Sequence, residues 1–218
     1  VSVTFSTAVF RTIAILKNLE KSNHIFIIGN GGSAAIASET ANRFWKFCGL
    51  KSMAFNDPAI LTSTANDMGW ERVFELPLNT FGQDCDVLIA ISSSGESQNI
   101  INAVAVARSK WFIIITLSGF QPNNRLRQMG DINFYVPVVA KCPVPSSAFD
   151  SREGTVFGSC DFEAGELITH AQSCLWIVGW SKLADALLAG KKPHSLLGAA
   201  MIGSDYGEFE QQLDFEKK

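Results

Sequence analysis

Three stretches of this chain carry uninterrupted apolar blocks that stop at glycine or serine: "HIFIIGNGGS" from His24, "DVLIAISSSGES" from Asp86 and "WFIIITLSG" from Trp111. A strand with one face in water alternates apolar with polar residues, whereas an unbroken apolar run belongs to a strand covered on both faces. Between these blocks the period changes: the residues after Ser33, to about Phe47, and "SQNIINAVAVARSK" read as helices. Buried strands alternating with helices describe a doubly wound α/β fold, a three-layer α-β-α sandwich around a mainly parallel sheet of flavodoxin- or Rossmann-like topology. "KSMAFN" and "INFYVPV" supply two more strands, making five.

The segments around these blocks follow the same logic. Residues 4–21 place Phe5, Val9, Ile13 and Leu16 on one helical face, and Phe10, Ile15 and Leu19 widen it, which predicts an N-terminal helix within 1–22 buried on two sides. "DPAILTSTAND" opens a helix with Asp57 as N-cap and Pro58 at its first position, and "RVFELPLNTFG" reads as irregular or helical. Residues 23–140 hold the core sheet and its helices. The aperiodic segment 143–160 reads as a loop near the functional edge, 161–190 as a closing helix and 191–218 as a tail. No linker or charge run divides the 218 residues, so 1–218 is expected to form one domain.

Composition narrows the functional classes. Apolar residues make up 47% of the chain and charged ones 18%, a lean surface that predicts burial against other subunits. The net charge of −3, without a Lys/Arg cluster, argues against nucleic-acid binding. No apolar run reaches the roughly 18 residues of a membrane span and no signal peptide opens the chain, so the expected location is cytoplasmic, with no membrane partner. Five cysteines without a CxxC pair are the usage of reduced, mostly buried thiols.

In an open parallel sheet, ligands bind at the carboxyl ends of the strands. Two such ends here are unusual. In "GNGGS", Gly31 and Gly32 allow close approach of the backbone to a ligand, the next helix offers its positive N-terminus, and Ser33 adds a hydroxyl. In "SSSGES", Ser92, Ser94 and Ser97 can converge on one oxyanion at a second helix N-terminus. Together they describe a phosphate cradle of neutral donors. GxGxxG and GxxxxGK[ST] are both absent, which disfavours a nucleotide-dependent enzyme.

"IIGNGGSAAIAS", followed some sixty residues on by "DVLIAISSSGES", closely resembles the sugar isomerase (SIS) domain, and within it the phosphoheptose (sedoheptulose 7-phosphate) isomerase group; the match continues through "SMAFNDPAILTSTANDMG". The resemblance implies a five-stranded parallel sheet, a homotetramer, and a sugar phosphate bound between subunits. It implies phosphate contacts at Ser33, Ser92, Ser94 and Ser97, with Ser93 a lesser candidate, and contacts to sugar hydroxyls at Asn30 and Asp67. A turn-forming Asn and a helix-end Asp are the plainer readings of the last two.

The departures from the family are informative. Zinc-dependent members carry a His and, one turn later, a Glu on the helix after "GNGGS", where this chain has Glu39 and Arg43. Their closing helix carries a Gln and a His eight residues apart; here the positions are Glu166 and Cys174, or a neighbouring register, with His170 between them. The usual zinc set is not reproduced and no cofactor is required by the sequence, although Glu39, Glu166, His170 and Cys174 form an alternative carboxylate/His/Cys set. For aldose-ketose isomerisation, which needs a base and an acid around an enediol, Glu39 is the candidate base and His170 the candidate acid. Alternatively Glu39 only pairs with Arg43 at i, i+4. The expected function is therefore a phosphosugar isomerase, with a non-catalytic SIS-domain regulator or scaffold binding a sugar phosphate or a protein as the alternative.

Overall fold

In this computed structural model, which describes residues 5–136, five parallel strands form one sheet in the order β2-β1-β3-β4-β5. They are β1 (Ile25–Ile28), β2 (Ser52–Ala54), β3 (Val87–Ser92), β4 (Ile113–Ser118) and β5 (Ile132–Tyr135). The three apolar blocks are β1, β3 and β4, the middle of the sheet; β1 and β3 are buried at every position. The edge strand β2 is only partly buried, in keeping with its shorter and more polar sequence. Register aligns Ile25 with Val87 and Ile28 with Ala90, so β1 and β3 end side by side.

Helices cover both faces, as the unbroken strands require. Helices α1 (Phe5–Lys17) and α2 (Gly32–Arg43) pack on one face through Val9, Ile13, Leu16, Ala37 and Ala41 against Ile27, Ile89 and Ile115. Helices α4 (Glu75–Phe81) and α5 (Gln98–Ser109) lie on the other, with Leu78, Ile100 and Val104 against Phe26, Leu88 and Ile114. The three-layer sandwich expected from the sequence is the observed fold, and its strand order is the flavodoxin-like one. Helix α2 continues as a π-helical turn through Cys48, ended by Gly49.

Helix α3 (Pro58–Met68) starts as its sequence predicts: Asp57 caps it, accepting from the N–H groups of Ala59 and Ile60, with Pro58 in the first turn. Three expectations need correction. Helix α1 is not buried on two sides among the described residues, because Phe10, one of the residues widening its face, is 65% exposed. Neither of the two described thiols is fully buried: Cys48 is half-buried, its thiol pushed up to about 11 by that burial, and Cys85 is exposed in a polar turn before β3. A short helix, α6 (Arg125–Met129), between β4 and β5 has no counterpart in the sequence reading, although Asn124 as N-cap and Gly130 as stop were there to be read. The expected loop, closing helix and tail beyond 140 lie outside the described residues.

Candidate phosphate site

The chain leaves β1 for α2 on one face of the sheet and leaves β3 for α5 on the opposite face. Adjacent strands whose connections diverge in this way open a crevice at their carboxyl ends, the topological switch point where α/β sheets bind ligands. "GNGGS" and "SSSGES" form its two sides.

On the first side, Gly31 precedes α2 with φ 54° and ψ −122°, a conformation that L residues rarely adopt, and it offers the helix no side-chain cap. The exposed N–H groups of Gly31 and Gly32 have no partner among the described residues, whereas those of Ser33 and Ala34 turn back to Asn30 and Gly31. The buried Ser33 also carries a hydroxyl without a described partner. These are open donors at the positive end of a helix.

On the second side, the Ser92 and Ser97 hydroxyls lie 3.1 Å apart, and Ser92 Oγ accepts from Gly95 N–H. Ser94 Oγ accepts from Glu96 N–H at 3.2 Å, leaving its own proton to donate. The N–H groups of Ser94, Ser97, Gln98 and Asn99 have no partner among the described residues. Ser93 is half-buried in the same loop. Ser92 and Ser97 are thus brought together, and Ser94 stands in the same loop beside a row of unengaged backbone donors.

Asn30 and Asn99 join the two sides. Asn30 Nδ2 donates to Asn99 Oδ1 at 3.0 Å and Asn99 Nδ2 donates back to Asn30 Oδ1 at 2.9 Å. Asn99 is 2% exposed, and its Oδ1 also accepts from Ile100 N–H. Asn30 thus holds the neighbouring loop in this structure. Asn99 was missed in the sequence, yet a polar residue on the face of α5 that also presents Ala103 and Ala107 to the core was the signal for it. Asn99→Ala is expected to loosen the loops and cost about 1–3 kcal/mol, since it removes both partners of the Asn30 amide. Thermal unfolding measures the loss, and an unchanged midpoint would mean that the pair carries no net energy.

The remaining candidates are less engaged. Glu39, 55% exposed two turns into α2, accepts from Arg43 Nε at 2.6 Å, the i, i+4 pair foreseen as its plainer role. Asp67 is exposed at the end of α3 and accepts from Asn66 Nδ2 at 2.7 Å. The 3-10 turn that follows α3 (Trp70–Arg72) is tied to the start of α5, where Asn102 Nδ2 donates to the Glu71 carbonyl. Arg125, another residue the sequence reading missed, donates to Gln98 Oε1 at 3.2 Å and brings a cation to the lip of the serine loop. His170, Glu166 and Cys174 lie outside the described residues.

Comparison with known proteins bears on the same segment. A family model described as the SIS domain matches residues 12–119. The phosphoheptose isomerase of Thiobacillus denitrificans is 39% identical over 131 residues, which cover 56% of this chain and 66% of that protein. That of Aliarcobacter butzleri is 38% identical over 128 residues, covering 56% of this chain and 67% of its own length. The chain belongs to the phosphoheptose isomerase family of SIS-domain proteins. The match spans about two thirds of the length of these relatives. Among solved structures, the phosphoheptose isomerase of Neisseria gonorrhoeae superposes on this SIS-domain chain with a TM-score of 0.55 at 29% identity, over 78% of this chain and 84% of that one. The phosphoheptose isomerase of Francisella tularensis, at 23% identity and a TM-score of 0.62 over 83% and 84% of the two chains, shares the fold.

Proposed function

We propose that the protein is a phosphosugar aldose-ketose isomerase, acting on a heptose phosphate or a related sugar phosphate. The observation that carries this is the pair of donor-rich loops at the switch point, locked to each other by Asn30 and Asn99. A phosphate seated between Ser33, Ser92, Ser94 and Ser97 and the adjacent N–H groups, including those of Gly31 and Gly32, would meet two helix N-termini without a basic patch. Ser93 would stand behind them. Asn30 and Asp67 would face the sugar hydroxyls, Asn30 after exchanging Asn99 for the ligand.

Isomerisation transfers a proton between two neighbouring carbons, so a base must stand beside the carbon chain. Glu39 is proposed as that base, with His170 as the acid. Its exposed pairing with Arg43 is worth only about 0.3–0.5 kcal/mol, little enough for a substrate to displace. Of the alternative zinc set only Glu39 lies among the described residues, where its carboxylate accepts from Arg43. No step is routed through a metal.

The Glu39–Arg43 pair also favours a second reading, a sugar-phosphate-binding SIS protein without catalysis. Incubation with sedoheptulose 7-phosphate in D₂O, with and without chelator, separates the two by NMR. The isomerase should incorporate deuterium at the carbon next to the carbonyl and form product; saturable binding with neither outcome establishes the second reading.

Assembly into a homo-oligomer, a tetramer, is proposed with it. Helix α3 has no buried residue, and Ile60, Met68 and Trp70 stand exposed along it and just after it, a surface suited to a second copy. Light scattering of a monomeric mass would refute assembly. A cytoplasmic location is proposed as well; no described helix is long and apolar enough to cross a membrane.

A further inference from the structure

We propose that Asn124, buried against Gly95, is the residue that positions the serine loop, through the turn between β4 and α6. This rests on the loop being half of the phosphate cradle proposed above. The turn grips the loop at three places: Gly119 N–H donates to the Ser93 carbonyl at 2.9 Å, Leu126 N–H to the Gly95 carbonyl at 3.0 Å, and Arg125 N–H to Glu96 Oε1 at 2.8 Å. All the donors come from the turn and the first two residues of α6, and all the acceptors from the loop. The grip fixes which way Ser93–Glu96 face, and hence where the free N–H groups and hydroxyls of the loop point.

Asn124 holds the turn itself together. It is 2% exposed, and its Nδ2 is shared among Ser118 Oγ at 3.1 Å, the Gly119 carbonyl at 3.1 Å and the Gln121 carbonyl at 2.8 Å, while its Oδ1 caps α6 by accepting from Arg127 N–H. The side chain also lies directly beneath Gly95, with no room for a methyl group between them. Removing the amide frees the Gly119 carbonyl and leaves that of Gln121 only the Asn124 backbone N–H, loosening the segment whose N–H groups grip the loop.

The test is titration with sedoheptulose 7-phosphate and with inorganic phosphate, followed by calorimetry. Asn124→Ser keeps a capping oxygen but deletes the amide donors. It should weaken both ligands about tenfold, the scale of one charge-assisted hydrogen bond. Leu16→Ala, which removes a buried side chain of α1, controls for stability: it should lower the melting temperature and leave both affinities at the wild-type value. If Asn124→Ser does not fold, Glu96 decides. Glu96→Gln and Glu96→Ala both remove the charge, but only Gln still accepts from Arg125 N–H, so Ala should bind several-fold more weakly than Gln. Wild-type affinity in Asn124→Ser, or equal affinities in the two Glu96 variants where Asn124→Ser does not fold, overturns the positioning role and leaves the cradle intact. A wild-type protein that binds neither ligand overturns both.

Discussion

Gly95→Ala is expected to abolish measurable sugar-phosphate binding and to cost about 2–5 kcal/mol of stability, summing a left-handed backbone penalty of about 1–2 and an overpacking cost of about 1–3. Gly95 sits in the middle of "SSSGES" with φ 69°, where a side chain is strained whatever the space around it. Space is also lacking: an added Cβ would stand 2.8 Å from Asn124 Cβ and closer still to the amide group. Asn124 cannot retreat, because its amide is shared among three acceptors and caps α6. The loop must therefore move, and it carries Ser94 and Ser97 away from Ser92. Calorimetric titration with sedoheptulose 7-phosphate, together with a thermal melt, checks both parts. A folded Gly95→Ala protein that binds normally would show that the loop conformation is not what the ligand reads.

The sheet was legible because burial on both faces leaves a mark in the sequence, an unbroken apolar run, and β1, β3 and β4 all carry it. The two loops proposed to hold phosphate were legible for a related reason: glycines and serines at the end of such a run have little structural purpose except a turn or a ligand. The start of α3 was legible from Asp57 and Pro58, a purely local signal. What stayed hidden depends on pairings distant in the chain. The partner of Asn30 is 69 residues away, and nothing in either segment names the other. Helix α6 is five residues long, too short for a hydrophobic period to appear, and its importance comes from what Asn124 does to a loop that precedes it by a whole helix and strand. Cys85 was misread because cysteines are most often buried; its neighbours in "QDCD" and its φ of 64° mark a turn instead. The residues proposed to bind were thus easier to find than the asparagines proposed to aim them.

Asp86→Ala should destabilise the fold by about 2–6 kcal/mol while leaving the two candidate loops chemically unaltered. Asp86 is fully buried just before β3, at the amino end of the sheet opposite the site. Its Oδ1 accepts from His24 N–H at 2.7 Å and its Oδ2 from Gln83 N–H at 2.9 Å, so the carboxylate ties the start of β1 and the preceding turn to β3. Alanine orphans both N–H groups, at about 1–3 kcal/mol each. At about 2–4 °C per kcal/mol for a chain of this size, the melting midpoint should fall by roughly 10 °C. Asp86→Asn, which keeps one accepting oxygen, should fall between the two. The consequence for function is indirect but specific. A strand slipped by one residue turns every side chain to the other face, so register must be held where β1 and β3 begin if their loops are to meet where they end. Asp86 bridges β1 and β3 at the pair Ile25 and Val87, and the same register sets Ile28 beside Ala90 and the Asn30 loop beside the Asn99 helix. Below its lowered midpoint the Asp86→Ala protein should nevertheless bind sedoheptulose 7-phosphate within about twofold of wild type, because the β1–β3 ladder and the Asn30–Asn99 pair remain to hold the register. A large loss of affinity in the folded variant would instead assign the alignment of the two loops to this carboxylate.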